Sequence, residues 1–395
     1  MSCAPQAAAV TSVDATGWSY LSTAKPGSEA THAIRSTNCP RRIAQLTVRA
    51  PKSTITDSME VVMTETHTQT NTPAQRKPVA VIGFGGNSLL RPQDHGTQEE
   101  QFTLTWKASR WLVEILHRGY QLAIVHGNGP QVGNIMIQVE EAITKIPPQS
   151  LDVAVAQTQG SMGFMLANQL RNRLHEEQRD NPIACLVTEV VVDREDPAFE
   201  NPTKPVGPFF TAYRANVLMQ EHGWQMVEDA GRGWRKVVPS PKPRRILDSD
   251  LMRRLVDSGA LLIAGGGGGI PVYQDVGGYY RGVEAVIDKD YVASILAQEL
   301  EAELYIVLTQ VPMIAENFGR PNQRWIRTLP AAKAREMLEQ NQFPPGSMGP
   351  KVRSALEFIE ATGKEVLITD EENLKKALSR EAGTFMVAEG EIEYV

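Results

Sequence analysis

Two lysines lie beside sequence features that are typical of phosphate binding. Lys351 ends the Gly/Pro-rich run Phe343-Pro-Pro-Gly-Ser-Met-Gly-Pro-Lys351 and lies at the start of a predicted helix. Helix N-termini present free N–H groups and the positive end of the helix dipole, so they attract phosphate. Lys289 lies between Asp288 and Asp290, directly before a second predicted helix. These residues alone are equally compatible with solvated lysines and with an Asp288 that only caps its helix.

Two glycine-rich turns that follow apolar runs strengthen the phosphate-binding interpretation. One follows the run that begins at Val79, and the other follows the run that begins at Leu122. An apolar run that ends in glycine is typical of a buried parallel strand leading into a nest of backbone N–H groups. The first turn is neither a Walker A loop nor a Gly-x-Gly-x-x-Gly motif. The turn residues are Gly85, Gly86 and Asn87 in the first case and Gly127, Asn128 and Gly129 in the second.

Apolar strands and amphipathic helices alternate along residues 76–395, which predicts a mostly parallel sheet covered on both faces. Ligands of such sheets bind beyond the carboxyl ends of the strands, where both glycine turns would lie. Thr97-Gln-Glu-Glu100 is a capping box that opens the first helix. Residues 194–245 interrupt the alternation, and loops of that length are usually functional or mobile. Strands are predicted over 78–84, 121–126, 183–193, 261–265, 303–309 and 365–369, and helices over 98–118, 151–178, 288–300, 330–340 and 348–362.

Several motifs in a fixed order make the chain resemble carbamate kinases, a branch of the amino acid kinase superfamily. The resemblance runs from about residue 79 to about residue 384. Its most specific segments are Asn201-Pro-Thr-Lys-Pro205 and Pro239-Ser-Pro-Lys-Pro243, which sister kinases of the same fold lack. The other segments are His126-Gly-Asn-Gly-Pro-Gln-Val-Gly133, Gln157-Thr-Gln-Gly160, Gly265-Gly-Gly-Gly-Gly-Ile-Pro-Val272, Gly282-Val-Glu-Ala-Val-Ile-Asp-Lys-Asp290 and Pro345-Gly-Ser-Met-Gly-Pro-Lys351.

The resemblance implies a three-layer α/β sandwich with a mostly parallel central sheet, and a small protruding lid over about residues 194–245. The implied reaction is ATP + carbamate ⇌ ADP + carbamoyl phosphate. A carbamate oxygen is already anionic, so the reaction needs positioning and neutralisation of negative charge rather than a general base. Homodimers are usual in the family. Mg²⁺ would arrive with ATP or ADP, bound through phosphates and waters and without protein ligands.

The resemblance also implies roles for individual residues. Lys204, from the lid, would join Lys289 and Lys351 in neutralising the phosphates, and Asp290 would hold the lysines in place. The first glycine turn would bind the transferred phosphoryl group, and the second would hold carbamate. The residues implied to contact the nucleotide are Gly266, Gly267, Met348 and Gly349.

A few positions depart from the pattern of the wider family. Many amino acid kinases carry a lysine where this chain has Gly83. In carbamate kinases the residue at the position of Lys204 takes over the role of that lysine. Gln310 and Ala315 replace an acidic or small residue and a tyrosine in a segment that borders the nucleotide in the family. Glu189 is a milder change. Two alternatives therefore stay open: a nucleotide-binding regulator without turnover, and a related small-carboxylate kinase. The intact pair of lysines opposes the first, and the Asn-Pro-Thr-Lys-Pro segment opposes the second.

Composition excludes several other classes of protein. The chain has 395 residues, of which 42% are hydrophobic and 22% charged, as in ordinary globular proteins. A formal net charge of −6 gives no indication of a nucleic-acid or membrane partner. The sequence has no uninterrupted apolar run of about 18 residues, so no membrane span is expected. Cys3, Cys39 and Cys185 form no metal or disulfide pattern, which predicts a reducing, cytoplasmic environment, and Cys185 is predicted to be buried on a strand.

Residues 1–75 differ in composition from the rest of the chain. They are rich in Ser, Thr, Ala and Pro and are predicted to form a disordered extension before the kinase domain of residues 76–395. A basic, hydroxyl-rich and acid-poor segment is also typical of a transit peptide, so a mitochondrion-type organelle is an alternative location. The absence of Lys and Arg from the first 20 residues opposes that alternative. Translation from Met59 or Met63 is a further possibility.

Overall fold

The computed structural model describes residues 30–35, 43–48, 76–85, 89, 94–228, 233–344 and 346–395. The chain divides into two compact units, residues 1–75 and residues 76–395. In the first unit, strand β1 (Ala30–Arg35) pairs antiparallel with β2 (Ile43–Val48). This pair lies inside the segment predicted to be disordered. The other residues of that segment lie outside the described residues, so disorder and targeting there stay predictions.

A ten-stranded sheet forms the centre of the second unit. Six adjacent strands, from near the centre of the sheet to one edge, are parallel, and the antiparallel pairs lie toward the other edge. The sheet is thus mostly parallel, as predicted. Its order is β15 (Ile314–Glu316), β16 (Arg324–Pro330), β18 (Thr384–Val387), β17 (Val366–Thr369), β14 (Leu304–Leu308), β3 (Val79–Phe84), β4 (Gln121–His126), β11 (Leu261–Ile263) and β5 (Ile183–Cys185), with β19 (Glu393–Tyr394) beside β16.

Helices cover both faces of this sheet and complete the three layers that were predicted. Successive residues of a strand point to opposite faces, so each central strand feeds two cores. Ile82 packs with the helices of one face, and Val81 packs with those of the other. The first face carries α1 (Gln98–His117), α3 (Leu151–Glu176) and α9 (Leu374–Ala377), and the second carries α5 (Ser249–Asp257), α6 (Lys289–Glu299), α7 (Ala331–Glu339) and α8 (Met348–Thr362). None of the described helices is long and apolar enough to cross a membrane.

Most predicted elements are present with small differences at their ends, and the capping box is confirmed. The amide of Glu100 donates to the hydroxyl of Thr97 at 3.2 Å, and the amide of Thr97 donates to the carboxylate of Glu100 at 2.9 Å. The predicted strand over 183–193 is wrong, because β5 ends at Cys185 and a new strand, β6 (Glu189–Val192), joins another sheet. The burial predicted for Cys185 is also wrong. Because β5 is the last strand of the central sheet, its cysteine is exposed.

Two smaller sheets stand beside the central one. The first has the order β10 (Pro243–Ile246), β6, β12 (Ile270–Gln274) and β13 (Tyr280–Gly282). The second is antiparallel, with β9 (Trp234–Val238) between β7 (Lys204–Phe210) and β8 (Met226–Glu228). Helix α4 (Ala212–His222) packs on it through Ala215 and Leu218. This sheet and helix lie within residues 194–245, and we call them the lid.

A run of five glycines follows β11 and requires residues without a side chain. Gly265, Gly267, Gly268 and Gly269 have φ angles of 64°, 69°, 90° and 81°, a region that L-residues with a Cβ rarely adopt. The run turns as a short 3-10 helix over Gly266–Gly268. A Cβ at Gly268 would also overlap the carbonyl oxygen of Ile287. We call residues 265–269 the glycine loop.

We expect Gly268→Ala to lower the free energy of unfolding by at least about 2 kcal/mol, because it adds backbone strain to a collision with a carbonyl group. Gly160→Ala is the matched control, since Gly160 lies in α3 and a Cβ there has no neighbour within 4 Å. Alanine in a helix should be neutral or stabilise by up to about 1 kcal/mol. Urea unfolding of both variants measures the difference, and equal stability would contradict this account of the loop.

Candidate functional site

The glycine turns lie at the end of the central sheet that is formed by the carboxyl ends of β3, β4 and β11. These strands are parallel, so their carboxyl ends meet at the same edge. The amide of Gly127 donates to the carbonyl of Phe84 at 2.8 Å, which ties the turn after β4 to the end of β3. Gly85 follows Phe84, whereas Gly86 and Asn87 lie outside the described residues. The predicted phosphoryl nest at those two residues therefore stays a prediction.

The centre of the site is the carboxylate of Asp290, which two lysines share. Lys289 Nζ donates to Asp290 Oδ1 at 2.6 Å. Lys351 Nζ donates to Asp290 Oδ2 at 3.0 Å and to Oδ1 at 3.3 Å. Asp290 is 3% exposed, and the side chains of Lys289 and Lys351 are 13% and 14% exposed. Residues that are 61 positions apart in the chain thus form one buried ionic cluster.

Burial and charge together set the pKa values in this cluster. Burial alone would raise the pKa of Asp290, but the two ammonium groups hold it far below its usual range. Burial would lower the pKa of Lys289, yet Asp290 and Asp288 keep it raised. Burial lowers the pKa of Lys351 to about 8, opposed by Asp290 and assisted by the charge of Lys289. Two ammonium groups on one carboxylate leave one unbalanced positive charge near neutral pH, which suits a site for an anion.

The start of α6 fixes the position of Asp290. Asp288 is the N-cap of the helix, and its Oδ1 accepts from the amide of Asp290 at 3.1 Å. The hydroxyl of Tyr305, fully buried in β14, donates to the carbonyl of Asp290 at 2.9 Å. A Cβ at Gly83 would lie 3.3 Å from the Cβ of Ala293 and 3.7 Å from Asp290 Oδ1. Glycine at position 83 therefore lets α6 pack closely on β3, and the space for a lysine at that position is taken by α6.

Lys351 reaches Asp290 from the first turn of α8. The carbonyl of Pro344 accepts from the amides of Ser347 and Gly349, at 3.2 Å and 2.9 Å, and so closes the turn before the helix. A Cβ at Gly349 would lie 3.1 Å from that carbonyl, so glycine favours the close approach. Met348 is half-buried at the first position of the helix. The local structure confirms the helix that was predicted from residue 348 to residue 362.

Lys204 approaches the same helix end from the lid. It is the first residue of β7, and its Nζ donates to Asp288 Oδ2 at 3.1 Å. Its side chain is 39% exposed, in contrast to the two buried lysines. Asp288 thus accepts from the lid with one oxygen and caps α6 with the other. The structure brings all four predicted catalytic residues to the start of α6, although Lys204 contacts Asp288 rather than Asp290.

The second glycine turn packs against the glycine loop. The side chain of Asn128 donates to the hydroxyl of Thr158 at 2.8 Å, and a Cβ at Gly267 would overlap its amide. His126 is buried, and its Nδ1 lies 3.1 Å from the carbonyl of Gly127. Burial lowers the pKa of His126 to about 4, so the ring is neutral at pH 7. A Cβ at Gly266 would overlap the same ring, which makes His126 a packing partner of the glycine loop.

Gln159 and Thr188, like Tyr305, are structural residues of the site that the sequence did not identify. Gln159 Nε2 donates to the carbonyls of Gly266 and Thr188, at 3.0 Å and 3.2 Å. The amide of Thr188 returns a hydrogen bond to Gln159 Oε1 at 2.7 Å, and its hydroxyl accepts from the amide of Gly265 at 2.9 Å. Both side chains are buried. The only signal in the sequence was that Gln159 lies inside the motif Gln157-Thr-Gln-Gly160, and that motif assigned it no role.

Comparisons with known proteins agree with this geometry. The sequence model of the amino acid kinase family matches residues 78–370. A carbamate kinase of Pyrococcus horikoshii is 42% identical over 306 residues, which are 77% of this chain and 97% of that protein. Carbamate kinase 2 of Enterococcus faecalis is 42% identical over 312 residues, covering 78% and 99%. The solved carbamate kinase from Giardia lamblia bound to AMP-PNP has a TM-score of 0.75 at 36% identity, covering 79% of this chain and 99% of that one.

These matches cover nearly the whole length of the relatives, and they confirm both the resemblance and the fold class that the motifs indicated. The family match includes the glycine loop, the start of α6 and both buried lysines, and it begins two residues after the second unit begins. The chain belongs to the carbamate kinases, which are enzymes of the amino acid kinase family.

Proposed function

We propose that this carbamate kinase works in the direction of ATP synthesis, from ADP and carbamoyl phosphate that arginine catabolism supplies. The single observation that carries the proposed chemistry is the convergence of Lys289 and Lys351 on the buried carboxylate of Asp290. Carbamoyl phosphate is a high-energy mixed anhydride, so transfer to ADP is the downhill direction. The names of the relatives and the AMP-PNP bound to the Giardia lamblia protein support the choice of substrates.

The proposed reaction needs charge compensation and no proton transfer. A β-phosphate oxygen of ADP attacks the phosphorus of carbamoyl phosphate, the bond from phosphorus to the carbamoyl oxygen breaks, and carbamate leaves as an anion. Because the nucleophile and the leaving group are both anionic oxygens, no general base is required. Negative charge shifts between oxygens in the transition state, and fixed positive charges stabilise it. Lys289 and Lys351 supply these charges, and Asp290 fixes their positions.

The remaining predicted residues receive supporting roles in this proposal. Lys204 completes the charge around the phosphoryl group when the lid lies over the site. The backbone of the first glycine turn binds that group, and the second turn holds carbamate in line. The glycine loop and the start of α8 border the nucleotide. The residues concerned are Gly85, Gly86, Asn87, Gly127, Asn128, Gly129, Gly266, Gly267, Met348 and Gly349.

Mg²⁺ and a second copy of the chain belong to the proposal as well. Among the described residues, no three His, Cys, Asp or Glu side chains cluster as metal ligands. Both oxygens of Asp290 already accept from lysines, so this carboxylate is a poor ligand for a dication. The arrangement fits a Mg²⁺ ion that is held by phosphates and waters and that shields the phosphate charge. We propose a homodimer from the usual state of the family.

The decisive experiment measures ATP formation from ADP and carbamoyl phosphate with the purified chain, with acetyl phosphate as the alternative donor. Carbamoyl phosphate should be the strongly preferred donor. Preference for acetyl phosphate would favour a related small-carboxylate kinase. Binding of ADP without turnover of either donor would favour the regulator without turnover.

We expect Lys351→Met to lower kcat by about 100-fold or more, because a charge that acts in the transition state is removed from a buried site. Lys351→Arg should also lose much of the rate, since a planar fork replaces a compact ammonium group at Asp290. The matched control is Lys364→Met. Lys364 donates at the surface to the carboxylate of Glu303 and to the carbonyl of Glu301, away from the phosphate site, so turnover should not change. Full activity of both Lys351 variants, with folding checked by circular dichroism, would remove Lys351 from the mechanism.

The lowered pKa of Lys351 predicts a pH dependence. As the pH rises through about 8, Lys351 loses its charge in the free enzyme, and kcat/KM for carbamoyl phosphate should fall. Bound phosphates favour the charged lysine, so the fall in kcat should occur at higher pH. Lys351→Arg, whose side chain stays charged, should lack this limb in its residual activity. A wild-type kcat/KM that stays flat from about pH 7 to about pH 9 would contradict the prediction.

Lys204→Ala should lower kcat and leave the Kd for ADP nearly unchanged, because the half-exposed lysine reaches the site only from the lid. Losing one such contact should cost about 2–4 kcal/mol of transition-state stabilisation. Arg244→Ala is the control from the same insertion, since Arg244 forms an exposed pair with Asp193. Steady-state kinetics and calorimetry separate the two effects. Wild-type kcat in the Lys204 variant would show that the lid contributes no charge to the transfer.

A further inference from the structure

A cavity of about 480 Å³ lies between the lid and the second half of α2 (Gly129–Ala142), and none of the predicted site residues lines it. One wall is apolar and comes from Met136, Val139 and Ile143 of α2 and its end. The opposite wall comes from the lid, through the residues after α4 and through β9. Cavities of this volume are typical of sites for small molecules.

The cavity is separate from the phosphate site. Glu140, which lines it, lies eleven residues after Gly129 in α2, or about 16 Å along the helix. On the lid side, Lys236 of β9 lines the cavity and pairs with Val206. Lys204 pairs with Val238, about 7 Å further along the same ribbon. A molecule in the cavity would therefore contact the strand pair that carries Lys204 without contacting Lys204.

Three charged groups line the cavity, two of them largely buried. The side chain of Lys236 is 14% exposed, and its Nζ lies 3.7 Å from a carboxylate oxygen of Glu284 and 4.7 Å from the ring centre of Trp224. The side chain of Glu140 is 9% exposed, and its Oε1 accepts from Arg214 of the lid at 2.5 Å. Its Oε2 is shielded from solvent and has no hydrogen-bond partner within the described part of the chain. A buried carboxylate oxygen without a donor is costly, so a rotation of the Glu140 side chain toward a donor on a ligand would relieve that cost.

We propose that this cavity is a binding site for a basic amino acid. Two carboxylates and one ammonium group beside an apolar wall complement a ligand with two cationic groups, one carboxylate and an aliphatic chain. Glu140 and Glu284 would accept from the two cationic groups, and Lys236 would bind the carboxylate. The aliphatic chain would pack on Met136 and Val139. Trp224 adds an aromatic face, which attracts cations.

Binding there is linked to the position of the lid. The lid supplies Lys236 and Trp224 and the core supplies Glu140 and Glu284, so the ligand favours the arrangement in which both walls face each other. In that arrangement Lys204 contacts Asp288. The ligand should therefore stabilise the lid over the phosphate site, lowering KM and also kcat if release of product requires the lid to open. This consequence rests on the proposed function, whereas the binding itself does not.

Calorimetric titration of the full chain with L-lysine tests the site without reference to turnover. Saturable one-to-one binding is expected. L-norleucine lacks the side-chain ammonium group and cadaverine lacks the carboxylate, so both should bind at least about tenfold more weakly. Equal binding of either compound would overturn the assigned ligand class. No binding of L-lysine up to about 10 mM would overturn the site. Competition with ADP would also overturn it, and would appear as an apparent Kd for L-lysine that rises without limit as ADP is added.

Matched variants locate the binding. Glu140→Gln and Lys236→Met should weaken L-lysine binding by about tenfold or more. Glu141→Gln and Lys145→Met change exposed neighbours outside the cavity lining and should leave it unchanged. Binding that survives both cavity substitutions would overturn the proposal.

In the kinetic assay, L-lysine should lower KM in the wild type and not in Glu140→Gln. No effect of L-lysine on the wild type would overturn the link to the lid. L-lysine binding in a chain that makes no ATP would retain the cavity site and reject the proposed function.

Discussion

The buried carboxylate of Asp290, held between two ammonium groups, is the interaction on which the structure of the site depends. Moving three charged groups out of water carries a penalty of several kcal/mol for each, and mutual attraction offsets it only where the geometry is good. Helices α6 and α8 must therefore lie side by side, with Lys351 opposite the first turn of α6. The excess of one positive charge makes the cluster more favourable when an anion is bound. The charge balance of the site and its stability thus depend on the same three side chains.

Much of the surrounding structure serves to place that carboxylate. Tyr305 holds the backbone of Asp290 from the middle of the central sheet, and Asp288 holds its amide from the N-cap. Gly83 allows α6 to approach β3. A lysine at this position of β3 would need the space that α6 fills. Lys204 of the lid brings a further positive charge to the start of α6, through its contact with Asp288.

The lid is joined to the core by apolar packing and by ion pairs. Val206 and Val238 of the lid pack in one buried cluster with residues of α2 and α3. The pair between Lys204 and Asp288 is part-exposed, and the pair between Arg214 and Glu140 lies at the rim of the cavity under the lid. The pair at Lys204, whose side chain is 39% exposed, is partly solvated, and such pairs commonly contribute under about 1 kcal/mol to stability. The cavity beneath the lid offers a place where a ligand can add to these contacts.

The sequence by itself determined most of the local elements and named the candidate residues of the site. The strand at 121–126, the helix at 348–362 and the Thr97 capping box follow from side-chain periods and caps within a dozen residues, and the structure agrees. The lysines, Asp290 and the glycine turns were named from residue types and motif order. Only the tertiary structure decided which of these residues meet. Lys351 reaches Asp290 across 61 positions and Gln159 reaches Gly266 across 107, and such contacts depend on how helices pack on the sheet. Tertiary packing also decided that β5 ends at Cys185 and that this cysteine is exposed at the edge of the sheet. It likewise decided that Lys204 contacts Asp288.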